Sequence, residues 1–104
     1  MMLLTKELRE KLPPLYSQEN EPDPIVHVKF FHPVGRSTWY ITEFDGADIM
    51  FGLCCLHEAE IGYVSLAELQ SVKVMGLGIE RDRSWKPKPL SEAKKEAQQM
   101  GFDV

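Results

Sequence analysis

Carboxylates crowd two turns of this chain. Glu43, Asp45 and Asp48 bracket the Asp45-Gly46 dipeptide, and Glu58 and Glu60 lie on the turn after it. Paired carboxylates do general acid–base work or hold a hard cation. The same residue types also build turns, because an Asp side chain bonds its own backbone two residues on. On an extended strand Glu43 and Asp45 share a face, with Asp48 beyond the turn. The first reading is therefore a solvated hairpin end, and the second an acidic patch that meets a partner. The enzymatic alternative is a metal-dependent hydrolase or nuclease built on Glu43, Asp45 and Asp48.

His27, His32, Cys55 and His57 are ligand types for zinc, but no Cys-x-x-Cys or His-x-x-x-His pair accompanies them. Cys55 and His57 on one strand do not assemble a nucleophile, a base and an oxyanion hole. Cys54 and Cys55 are adjacent, so on a strand they point to opposite faces and cannot bridge without distorting the backbone. Gly76-Leu77-Gly78 reads as a loop, since it lacks the lysine and the strand-to-helix setting of a phosphate loop. The residues thus call for no metal and no cofactor.

Charge divides along the chain. Glu19 to Glu60 holds eight acids and two bases, a net of −6, and Lys73 to Lys95 holds seven bases and three acids, a net of +4. The acidic stretch contains Glu19, Glu21, Asp23, Glu43, Asp45 and Asp48, the set expected to meet a basic protein partner through long-range attraction. A net charge of −4 over the 104 residues argues against direct binding of nucleic acid through phosphate neutralisation. No apolar run approaches a membrane span. With no export signal at Met1-Met2-Leu3-Leu4 and no usable disulfide, the expected compartment is the cytoplasm.

These groups need a scaffold, and 104 residues with 43% hydrophobic and 27% charged content make one domain with a core of its own. Leu4, Leu8 and Leu12 fall on one face of a helix over 3–12, with Thr5 as its cap and Pro13-Pro14 as its stop. Residues 17–24 carry no apolar side chain and read as an acidic, proline-stiffened loop. A strand meander follows over 25–65: Ile25–Phe31, Ser37–Phe44, Ile49–His57 and Ile61–Val64, joined by short connections that imply antiparallel pairing. Trp39 and Ile41 should share one face of the second strand, with Tyr40, Thr42 and Phe44 on the other. An exposed Trp39 or Tyr40 would be an interface anchor. A helix-loop-helix tail occupies 66–104. Ser65 to Glu68 fits a capping box. Ile79–Trp85 is an edge strand or an extended loop. Ser91 is the expected cap of a last, peripheral helix that Gly101 ends. The sum is an α+β fold: an antiparallel sheet of four to five strands with short N-terminal, middle and C-terminal helices.

An ordered string of motifs carries a resemblance. It begins with Leu3-Leu4-Thr5-Lys6-Glu7-Leu8-Arg9 and Leu12-Pro13-Pro14-Leu15-Tyr16-Ser17-Gln18-Glu19. It continues through Asp23-Pro24-Ile25-Val26, Trp39-Tyr40-Ile41-Thr42-Glu43-Phe44-Asp45-Gly46 and Phe51-Gly52-Leu53. Glu60, Gly62-Tyr63, Ser65-Leu66-Ala67-Glu68-Leu69 and Ile79-Glu80-Arg81-Asp82 close it. Over residues 3–90 this resembles the family called domain of unknown function 2958. The resemblance implies a bacterial protein of phages, plasmids and other mobile elements. Some similar proteins are anti-CRISPR inhibitors of type II effector nucleases, and the family has no assigned catalytic residues. The expected function is therefore a non-enzymatic binding protein whose partner is a protein, in the sharpest form a CRISPR effector nuclease. A regulatory or structural module of a phage or plasmid is a third reading.

Overall fold

The computed structural model describes residues 2–104. Its elements are α1 (Lys6–Lys11), β1 (Ile25–Val26), β2 (Val28–Phe31), β3 (Thr38–Phe44), β4 (Ile49–Cys55), β5 (Ala59–Ser65), α2 (Leu66–Ser71), β6 (Lys73–Val74), β7 (Leu77–Gly78), β8 (Glu80–Arg81), β9 (Lys88–Pro89) and α3 (Leu90–Gln99). The main sheet has five antiparallel strands in the order β5-β4-β3-β2-β8. It is an α+β fold, with the meander of β2 to β5 at its centre.

Both faces of the sheet are covered. On one, Leu3, Leu4, Leu12, Leu66, Leu69 and Ile79 pack over Phe30, Trp39, Ile41, Phe44 and Met50. On the other, Ala93 and Ala97 of α3 and Phe102 close over Val26, Tyr40, Leu53 and Cys55. Cys54 and Cys55 go to opposite faces, and both thiols are free. Burial pushes the pKa of each thiol up to about 11.

Five sequence expectations need correction. The first helix spans only Lys6–Lys11, because the Thr5 hydroxyl accepts the Leu8 N–H and starts it there. Leu3 and Leu4 precede it and are buried, while no residue inside it is. The last helix is central: Ala93 and Ala97 are fully buried, their methyl-sized side chains letting α3 lie close on the sheet. Ser91 lies inside α3; Pro89 takes the cap position without a side-chain bond, and the Asp23 carboxylate reaches over instead to accept the Ser91 N–H at 2.8 Å and hydroxyl at 2.7 Å. Leu77–Gly78 is half of a small hairpin with Lys73–Val74, turning through Met75 and Gly76, which both have positive φ.

The fifth correction sets the site. The β3–β4 register shifts between Ile41 and Glu43, so Thr42 is an extra residue in β3. Its hydroxyl donates to the Phe51 carbonyl at 3.1 Å. Beyond the bulge the faces exchange. Phe44 joins Trp39 and Ile41 in the first core, and Glu43, opposite Phe51 in the ladder, lines the other side with it. Trp39 and Tyr40 are both buried, so neither is a surface anchor.

Candidate functional site: an acid-rimmed groove

The N-terminal segment leaves α1 through Pro13-Pro14, and the Pro13 carbonyl accepts the Phe44 N–H at 2.9 Å. A tight turn follows, closed by Ser17 N–H on the Pro14 carbonyl, with Tyr16 at φ 70°. That conformation favours glycine. Glu43, buried at the end of β3, fixes it: its two oxygens accept the backbone N–H of Tyr16 at 2.8 Å and of Gln18 at 2.9 Å. The Gln18 amide then donates to the Thr42 carbonyl at 2.8 Å and accepts the Ile25 N–H at 2.9 Å. The acidic loop is stitched to β3 by these two side chains.

Between that loop, the outer part of the sheet and the start of α3 lies an open groove of about 330 Å³. Phe51 and Tyr63 floor it, their ring centroids 4.9 Å apart. Ile61 and Leu90 add apolar wall, and Tyr16 stands over one side. Tyr16, Ile61 and Tyr63 are 62%, 49% and 55% exposed. The interaction with the Tyr16 phenol, then slight burial and the negative charges of Glu43 and Glu19, raise the Tyr63 pKa. Glu19, Glu21 and Glu43 line the groove, and no Lys or Arg does. A second hollow, of about 280 Å³, has the opposite character, with Arg81, Arg83 and His27 beside Asp82. The charge division along the chain is thus a division in space.

The six acidic residues singled out in the sequence do different things. Glu43 holds the Tyr16 turn. Asp45 Oδ1 accepts the N–H groups of Ala47, Asp48 and Ile49 within the β3–β4 turn, and these bonds hold its pKa below the ordinary 3.8. Asp48 accepts the Ser65 hydroxyl at 2.6 Å and the Ala67 N–H at 2.8 Å, tying that turn to the start of α2 and lowering its own pKa. Asp23 caps α3, and its pKa is lowered first by the Ser91 hydroxyl. Glu19 and Glu21 are exposed on the groove rim, and no base lies within ion-pair distance of either among the described residues. The bulge sends Glu43 inward while Asp45 stays at the exposed turn, so Glu43, Asp45 and Asp48 do not converge. Among the described residues no group of three or more His, Cys, Asp or Glu is placed to hold a metal ion. Both ring nitrogens of His32 lie against backbone, 3.0 Å from the Val34 carbonyl and 2.9 Å from that of Leu77.

Sequence reasoning missed the groove's aromatic wall and one polar cluster. The Tyr40 hydroxyl donates to Glu96 at 2.6 Å, and the Lys29 ammonium sits 2.8 Å from the same carboxylate. Burial works to raise the Glu96 pKa, but the Lys29 and Tyr40 bonds leave it lowered. Lys29 also lies over the Tyr40 and Trp85 rings. This cluster locks α3 to the sheet. Its partners lie 56 residues apart in Tyr40 and Glu96, beyond any local signal. Tyr16 had a local signal, a Pro-Pro-x-Tyr stop after a helix, whose positive φ the sequence does not announce.

Fold and groove together define a small α+β domain, covered on both sheet faces, that carries an acid-rimmed apolar groove. The chain belongs to the family described as protein of unknown function (DUF2958), whose model matches residues 3–102. No curated protein and no solved structure matches it. Among the described residues no helix is long and apolar enough to cross a membrane.

Proposed function

We propose that this is a small non-enzymatic binding protein of mobile-element origin that docks its groove side on a basic surface of a larger protein. In its sharpest form the partner is a type II CRISPR effector nuclease in the cytoplasm of a bacterium. Such nucleases hold nucleic acid in positively charged channels, and an acidic domain competes for that surface. One observation carries the reading: the groove presents exposed aromatic and apolar surface rimmed by Glu19 and Glu21, with no base among its lining residues. Exposed aromatics ringed by polar groups are the ordinary anatomy of a protein interface. The other four acids support it indirectly, since their oxygens are occupied by backbone and hydroxyl donors rather than aimed at a shared point.

The test is target-DNA cleavage by a guide-loaded type II effector with the protein titrated in. Inhibition should be stoichiometric, and salt should slow association as it shortens the Debye length to about 8 Å at physiological strength. Glu19→Lys with Glu21→Lys should weaken it without disturbing the fold, because neither side chain holds the core. Inhibition untouched by that double reversal overturns the reading. So does magnesium-dependent DNA cleavage by the protein alone, which would restore the enzymatic alternative.

A further inference from the structure

Resting on the binding reading above, we infer that β5 is a docking edge, at which an extended basic segment of the partner protein adds as a sixth strand and lowers its side chains into the groove. β5 ends the sheet. Its ladder with β4 runs from Ala59 to Ser65 without a bulge. Successive residues of a strand send their N–H and C=O groups to opposite sides. The Leu66 N–H bonds inward to the Asp48 carbonyl at 2.8 Å, so the alternation turns Val64, Gly62 and Glu60 toward β4. The backbone groups of Ala59, Ile61 and Tyr63 then point outward, and nothing among the described residues bonds to them.

Natural proteins blunt such edges with lysine, proline, a bulge or a very short strand. β5 has none of these. It is seven residues long and carries one charge, Glu60, on the face away from the groove. Outward backbone and outward apolar surface coincide, because Ile61 and Tyr63 share the groove face with Phe51. In strand addition the main chain supplies affinity, and alternate side chains supply specificity.

The groove's charge selects the occupant. Alternate side chains of an added strand would stand beside Ile61 and Tyr63, facing Glu19 and Glu21, with which no base among the described residues forms an ion pair. An arginine there meets carboxylates and the faces of Tyr16 and Tyr63. A second copy of β5 is a poor occupant: it contains no base and brings another Glu60.

The experiment is an NMR titration of the isotope-labelled protein with blocked hexapeptides that alternate valine and arginine, against counterparts with glutamate for arginine. The arginine peptides should bind, moving the Ile61 and Tyr63 amides most and slowing their hydrogen exchange. Ile61→Pro removes only an outward N–H from the ladder's point of view, a position where an edge strand tolerates proline. It should cost at least about tenfold in affinity, and Ile61→Ala, which keeps the N–H, should cost less. Should Ile61→Pro fail to fold, peptides N-methylated at every second residue supply the same test from the other side, and the methylated register that faces β5 should not bind. Glutamate peptides binding as well as arginine peptides, arginine peptides not binding, shifts confined to another surface, or Ile61→Pro and Ile61→Ala behaving alike would each overturn the inference. So would self-association through β5 that Ile61→Pro abolishes. Nuclease inhibition that survives Ile61→Pro overturns the edge and leaves the binding reading intact. Peptide binding in a protein that inhibits no nuclease does the reverse for the nuclease partner.

Discussion

Glu43 Oε1 accepts the backbone N–H of Tyr16 at 2.8 Å, across 27 residues of chain. With the second oxygen on the Gln18 N–H, one buried carboxylate holds a whole loop in place. A charge taken out of water is costly unless hydrogen-bonded, and here two part-buried backbone N–H groups supply those bonds. The groove exists because that loop stands off the sheet at a defined height.

Glu43→Ala should therefore behave as a structural lesion. Two donors lose a charged acceptor, and bonds to charged groups are worth about 1.5–3 kcal/mol each, so a loss of about 2–4 kcal/mol is expected after local relaxation. Glu43→Gln keeps one acceptor oxygen but places an NH₂ against a donor, and should lose a smaller part. Urea unfolding measures both, and hydrogen exchange should show the 14–24 segment loosening first. A neutral Glu43→Ala would show that the clamp contributes nothing.

Tyr16→Gly should separate stability from binding. A left-handed conformation costs a non-glycine residue roughly 1–2 kcal/mol, and glycine gives back about 0.5–1 through its unfolded-state freedom. The tyrosine side chain is 62% exposed and contributes little packing. The variant should be as stable as the parent or up to about 1 kcal/mol more stable, while losing affinity for the partner. Thermal melting and a binding titration read the two effects, and destabilisation with binding retained would contradict the strain argument.

Gly52→Ala should be among the most damaging small substitutions. A Cβ there would lie 1.9 Å from the Tyr40 carbonyl oxygen and 2.9 Å from its carbon, both backbone atoms in the neighbouring strand. The clash falls beside the Thr42 bulge, where β3 bends, and cannot be relieved by a side-chain rotation. Overpacking in a core costs about 1–3 kcal/mol and more when backbone must move. Gly62→Ala is the control, because a Cβ there meets nothing within 4 Å. Comparable unfolding midpoints for the two variants would sink this account.

Acid should weaken the fold at three joints. Asp23, Asp45 and Asp48 are each held below the ordinary aspartate value of 3.8 by hydroxyl and backbone donors. A lowered folded-state pKa means the ionised form stabilises the native state. That contribution is complete above about pH 4 and lost as pH falls through the lowered values. Unfolding midpoints measured from about pH 7 down to about pH 2 should decline in that lower window. The triple variant Asp23→Asn, Asp45→Asn, Asp48→Asn should be less stable at neutral pH and show a shallower decline. An unchanged slope would mean the three carboxylates bond no better folded than unfolded.

Much of the architecture was written locally. Thr5 and Ser65 start helices because their hydroxyls accept the N–H three residues on, at 3.2 Å in each case. Asp45-Gly46 makes its turn, and Gly101 ends the last helix with φ 97°. The alternation of Ile25 to Ser65 specifies a meander, and adjacent Cys54 and Cys55 must part to opposite faces. These follow from spacing and from groups within a few residues of each other. The Thr42 bulge does not. It depends on how β3 and β4 meet across the sheet, and one inserted residue reverses every side chain after it, burying Phe44 with Trp39 and turning Glu43 inward. Asp23 capping α3, Glu96 receiving Tyr40 and Lys29, and Glu43 holding Tyr16 are pairings between segments whose nearness only the packed chain creates. Sequence alone could count the carboxylates of 19–60 and their net charge. Only the tertiary structure divided the six candidates among them into four held by several or distant donors and two, Glu19 and Glu21, on the groove rim, where Glu21 accepts no more than the Asp23 N–H of its own loop at 3.4 Å, because a carboxylate is available to a partner to the extent that donors of its own chain have not been folded against it.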